Sequence, residues 1–88
     1  MTLSKNFDIR NIFSINLKYY RIQNNLSQFK LAEMVNVTDK YISDLERNLY
    51  DPSLGLIDSL AKSLNVEAYL LLKYDETHKS TLKRIKKP

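Results

Sequence analysis

The segment from Leu26 to Arg47 allows few arrangements, and the simplest is two short helices joined by a tight turn. Ser27 supplies an N-cap hydroxyl for a helix over about Gln28 to Val35, with Leu31, Ala32 and Val35 on one face. Asn36 and Val37 make the turn, and Thr38 caps a second helix whose inner side carries Ile42 and Leu45. Two helices joined through three or four residues must approach closely, and Ala32 stands where a larger side chain would drive them apart. The outward side of the second helix holds Asp39, Lys40, Ser43, Asp44 and Arg47, all polar. A helix that is apolar inside and hydrogen-bonding outside is suited to lie in a DNA major groove.

The rest of the chain has the helical period. Ile9, Ile12, Phe13, Leu17 and Tyr20 form a stripe that predicts a first helix from about Asp8 to Asn24. Pro52, set between Asp51 and Ser53, stops one helix and lets another begin. Leu56, Ile57, Leu60, Ala61 and Leu64 then face inward from a fourth helix over about 54–64. A short fifth is expected over 67–74, with Ala68, Leu71 and Leu72 inward. No stretch alternates long enough to make a strand, so the expected fold is an all-α, compact five-helix bundle. Asn25, Asn36, Asn48 and Asn65 each fall at an expected helix end. A helix often closes on one residue at positive φ, where asparagine is the usual substitute for glycine.

Composition excludes several classes. With no cysteine there is no disulfide framework, which fits a reducing cytoplasm. One histidine and no cysteine argue against a zinc site or any metal cofactor. A single glycine, Gly55, leaves no glycine-rich phosphate loop. No apolar run approaches the roughly 18 to 20 residues that cross a bilayer. Catalysis needs a pocket and convergent polar groups, which a small helical chain with one imidazole is poorly equipped to build, so neither an enzyme nor a cofactor is expected.

The formal charge of +4 is unevenly spread. Lys79, Lys83, Arg84, Lys86 and Lys87 lie in residues 78–88, where there are no acids. Nine of the 14 bases and all 10 acids therefore lie in residues 1–77, a net of 9 − 10 = −1. DNA affinity of the folded part must come from local arrangement rather than overall field. Residues 1–74 are expected to form the domain, with the two-helix unit at about 28–47. Residues 75–88 are expected to be a basic tail, in which Leu82 and Ile85 would give a sixth helical turn one apolar face and disorder is the other reading. His78 opens that tail and carries no expected role.

Taken together, these residues resemble the Xre-type helix-turn-helix regulators, which include the lambdoid phage repressors. The resemblance spans roughly Leu17 to Leu72. It is carried by Arg21, Leu26-Ser27-Gln28, Leu31-Ala32-Glu33, Val37-Thr38, Tyr41-Ile42-Ser43, Leu45-Glu46-Arg47, Pro52-Ser53-Leu54, Leu60-Ala61 and Leu64-Asn65-Val66. It implies a five-helix domain that binds operators as a dimer, with Asp39, Lys40, Ser43 and Asp44 at the positions that meet bases. Gln28, Thr38, Tyr41, Arg47, Asn48 and Tyr50 would touch backbone or groove rim. Arg21 and Glu46 match a partly buried ion pair linking helices one and three. Two departures stand out: asparagines replace the family's common glycines, and a carboxylate at Asp39 or Asp44 can accept from cytosine N4 but faces phosphates at a cost. Phe29 stands where the family usually has a charge and is given no role.

Tyr69 and Leu70 occupy positions where the family often has exposed acids, and an uncovered tyrosine and leucine suggest a homodimer contact. Packing of the tail over them through Leu82 and Ile85 is the plain alternative. The expected function is operator binding by a small dimeric regulator, most simply a repressor, with double-stranded DNA as partner and no small-molecule ligand or membrane. The alternative function is a protein-interaction module, such as an antitoxin-like partner, on the same fold; the near-neutral body and the two aspartates favour it.

Overall fold

Among the described residues, every α-helix begins at a residue whose side chain accepts a backbone hydrogen bond from its first turn. The computed structural model describes residues 8–85, and within them the elements are α1 (Ile9–Gln23), α2 (Gln28–Val35), α3 (Asp39–Glu46), α4 (Leu54–Leu64), a 3₁₀ turn (Ala68–Leu71) and α5 (Glu76–Arg84). The caps are Asp8 to Arg10 N–H, Ser27 to Lys30 N–H, Thr38 to Tyr41 N–H, Ser53 to Leu56 N–H and Asp75 to Thr77 N–H. Each such cap stabilises its helix by about 1 kcal/mol.

The helix ends follow the same local logic. Asn25, Asn36, Asn48 and Asn65 have φ of 57°, 62°, 63° and 59°. After each, the next residue's N–H reaches back to a carbonyl of the last turn: Leu26 to Arg21, Val37 to Ala32, Leu49 to Asp44 and Val66 to Ala61, at 3.0–3.1 Å. Each asparagine N–H also bonds a carbonyl three residues back, completing a Schellman motif. Leu26, Val37 and Val66, the residues just after three of these asparagines, pack against the core, whereas Leu49 stays exposed.

The core unites Phe13 and Leu17 of α1, Leu31 and Ala32 of α2, Ile42 and Leu45 of α3, Ile57, Leu60, Ala61 and Leu64 of α4, and Leu71 of the 3₁₀ turn. Ala32 is buried where α2 and α3 pack. Ile9, by contrast, lies half exposed at the start of the first stripe.

The C-terminal third departs from expectation. The fifth helix foreseen over 67–74 is a single 3₁₀ turn, and the fifth α-helix lies inside the segment read as a tail. Asn16, buried on α1, keeps that turn from running on into α5 as one helix. Its Nδ2 donates to the carbonyls of Leu70, Leu71 and Lys73 at 3.1, 2.9 and 2.9 Å. Those carbonyls would otherwise accept the next turn of an α-helix, so the chain breaks and restarts at the Asp75 cap.

His78 then plugs α5 onto α1. It is buried, its Nδ1 lies 2.8 Å from Asn16 Oδ1, and its ring stacks on Tyr19 at 3.7 Å with Tyr20 edge-on at 5.2 Å. Because the Asn16 amide nitrogen is committed to carbonyls, its oxygen accepts and His78 Nδ1 carries the hydrogen. Burial pushes the His78 pKa down, against the opposing pull of Asp75, whose Oδ2 is 3.4 Å from Nε2. Histidine 78 therefore has a structural role, and Leu82 and Ile85 are half-buried rather than free. Lys86 and Lys87 of the expected tail lie outside the described residues.

Candidate nucleic-acid interface

Helix α3 is held against α1 from below. Arg21 donates through Nε to Glu46 Oε2 at 2.6 Å and through Nη2 to Oε1 at 3.1 Å, and its Nη1 bonds the Leu26 carbonyl at 2.7 Å. The two side chains are only 9 % and 3 % exposed. Gln28 Nε2 joins them at Glu46 Oε1, 3.0 Å away. This ties the start of α2, the end of α3 and the end of α1 into one network. Nearer the start of α1, buried Ser14 Oγ donates to the Leu45 carbonyl at 2.8 Å. The C-terminal half of α3 is thus anchored at two points, which fixes the orientation of its outer face.

On that outer face Lys40 and Arg47 are well exposed, with side-chain exposures of 79 % and 60 %. Ser43 is half-buried between them, and Asp39 is exposed in the first turn with its carboxylate accepting the Lys40 N–H at 3.0 Å. Asp39 therefore serves the helix start as a local acceptor, where an acid also complements the helix dipole. Thr38 is spent as the cap. Tyr41 packs partly on the core, and its ring lies 5.9 Å from that of the exposed Tyr50. Asn48 holds the turn between them at positive φ.

Asp44 lies on the outward line but is not open to solvent as expected. Only 3 % of it is exposed, because Lys40 and Arg47 lie across it. Lys40 Nζ donates to Oδ2 at 3.1 Å, and Arg47 Nη2 pairs with Oδ1. The Lys40 hydrogen bond first, then that of Arg47, holds the carboxyl below the usual carboxylate range. Helical spacing alone gives a direction; the burial comes from the long side chains one turn to either side.

Tyr69 is 64 % exposed and Leu70 half-buried beside it, so α5 does not cover the tyrosine. Helix α5 instead sits behind α1. At about 100° per residue, Ser14 and Arg21, which face α3, lie roughly 140–160° from Asn16 and Tyr19, which face α5. Lys79, Lys83 and Arg84 are exposed on α5, the helix that packs on the side of α1 turned away from α3. Asn16, Tyr19 and His78 had no place in the sequence reading. A second apolar stripe on α1 (Ile12, Ile15, Tyr19 and Ile22), wider than one core needs, was the available sign.

Among the described residues no group of three or more His, Cys, Asp or Glu side chains could hold a metal ion, and no helix is long and apolar enough to cross a membrane.

Comparison with known proteins agrees with this architecture. The helix-turn-helix family model matches residues 17–71. Control protein C.SmaI of Serratia marcescens is 40 % identical over 65 residues, covering 74 % of this chain and 77 % of that protein. The immunity repressor of Bacillus phage phi105 is 35 % identical over 51 residues, 58 % of this chain, which spans only 35 % of the repressor's length. The crystal structure of the hypothetical transcription factor NHTF from Neisseria superposes with a TM-score of 0.77 at 27 % identity, covering 92 % of this chain and 93 % of that one. With the match covering more than half its length, this chain belongs to the Xre-type helix-turn-helix family of DNA-binding transcriptional regulators, which are not enzymes.

Proposed function

We propose that the protein binds double-stranded DNA sequence-specifically as a homodimer and acts as a repressor, laying α3 in the major groove of a near-palindromic operator. The observation that carries this reading is the pair of exposed cations, Lys40 and Arg47, on the outer face of a helix whose inner end is locked by Arg21, Glu46 and Gln28. Lys40 and Ser43 meet base edges, with Lys40 suited to guanine O6 and N7. Arg47, Asn48, Tyr50, Tyr41, Thr38 and Gln28 line the rim and set register on phosphates.

One such domain reads too few base pairs to select an operator. Pairing through Tyr69 and Leu70 supplies a second reading helix roughly 34 Å away, one turn of duplex. Repression then follows from occupancy, the bound dimer denying polymerase its site.

The test is a binding titration with duplex DNA over a range of salt. Phosphate contacts make log affinity fall linearly with log salt, and Arg47→Ala reduces that slope by about one. A salt-independent interaction, or a slope untouched by Arg47→Ala, would instead favour a protein-interaction module on the same fold.

A further inference from the structure

Lys40, Asp44 and Arg47 lie at i, i+4 and i+7, one line along α3, in two tiers. The carboxylate is beneath, 3 % exposed, and the two cations are above it and open to solvent. Both carboxylate oxygens are taken, Oδ2 by Lys40 and Oδ1 by Arg47. Each oxygen keeps a second lone pair, but with the carboxylate covered a cytosine amino group reaches it only by moving a cation aside, so base reading by Asp44 is poorly served by this geometry.

We propose that Asp44 is a built-in counter-anion that sharpens sequence discrimination, competing with DNA phosphate for Lys40 and Arg47 while holding both in the attitude needed to read a site. This rests on the DNA-binding reading above and adds to it a positioning residue that touches no base.

Two physical effects support it. Long cationic side chains lose rotamer freedom when they bind, and a fixed carboxylate between them takes part of that loss before DNA arrives. The carboxylate also lowers the charge of this line from +2 to +1. A duplex of arbitrary sequence offers little beyond phosphates, so it must win the cations from Asp44 with nothing in return. A duplex that places a guanine under Lys40 lets the ammonium, which carries three N–H donors, bond the base edge while still donating to Asp44, so there the ion pair is kept. Weaker binding everywhere, with less weakening at the correct site, is greater discrimination.

The experiment compares native protein with Asp44→Asn, Asp44→Ser and Asp44→Glu on two duplexes: one of random sequence, and one recovered by the native protein from a randomised pool. Each is titrated across a range of KCl, with melting curves as a folding control. Asp44→Asn should steepen the log–log salt slope on the random duplex by about 0.9 and tighten that binding by about eightfold near 0.1 M salt. The ratio of selected to random affinity should fall. Asp44→Ser, which removes the same charge from a smaller side chain, carries the same expectation if the amide variant folds poorly. Asp44→Glu, which keeps the charge within reach of both cations, should leave the slope and random-duplex affinity near native. A fall in the ratio with the slope unchanged would overturn the proposal and return Asp44 to base reading. Native affinity, slope and ratio in both charge-removing variants would overturn it outright. Failure of the native protein to bind either duplex in a salt-dependent way would count against the DNA-binding reading instead, a separate result.

Discussion

Arg21 and Glu46, one on α1 and the other closing α3, meet as a buried two-pronged ion pair with the Gln28 amide capping the same carboxylate. Such a pair resists removal of one partner more than of both, because a lone buried charge has nothing to neutralise it.

Arg21→Ala should therefore destabilise the fold by about 3–5 kcal/mol, read by denaturant unfolding. Replacing both members together, Arg21→Met with Glu46→Leu, should cost clearly less. Equal losses in the single and double variants would mean that the pair acts through packing alone.

The asparagine helix ends make a sharper chemical prediction. Asn65 sits at φ 59° after α4, where a Cβ without a hydrogen-bonding side chain is unfavourable. Asn65→Ala should lower stability by about 1–2 kcal/mol, while Asn65→Gly should match or slightly exceed the native protein. Thermal melting of the three proteins side by side decides it.

His78 links stability to pH. Its folded pKa is depressed below the ordinary 6.5, chiefly by burial, so near and below that value the unfolded chain binds more protons than the folded one. Its contribution is full above about 6.5 and is lost as pH falls from there toward the folded value. Native protein should melt at lower temperature as the buffer moves from neutral to mildly acid. His78→Ala should flatten that dependence and cost about 2 kcal/mol at neutral pH by leaving the Asn16 oxygen without its donor. A variant with the same acid slope as native would place the titration elsewhere.

Tyr69 provides the test of assembly. If it anchors the dimer, Tyr69→Ala should weaken self-association by about 2 kcal/mol, roughly thirtyfold in Kd, with no change in melting at high protein concentration beyond that mass-action effect. Sedimentation of both proteins across a dilution series measures this. Identical curves would move the contact to another surface.

Local features of this fold were legible in the sequence because local chemistry decides them. Ser27, Thr38 and Ser53 announce helix starts, four asparagines announce ends, and Ala32 announces the close approach of α2 and α3. The unread part depended on distance. Asn16 reaches 54 to 57 residues along the chain to stop a helix that Ala68, Leu71 and Leu72 alone would favour. His78 is buried by the aromatic rings of Tyr19 and Tyr20, in a helix otherwise rich in charge. At the candidate site, periodicity placed Lys40, Asp44 and Arg47 on one line but carried no information on which side chain would lie over which.

The seating of α5 behind α1 has a practical corollary. A dye, an affinity handle or a bead coupled near Lys83 would hang from the rear of the molecule, leaving the front edge of α3 unshadowed. That makes the C-terminal helix the attachment point of choice for immobilised or single-molecule work on this regulator.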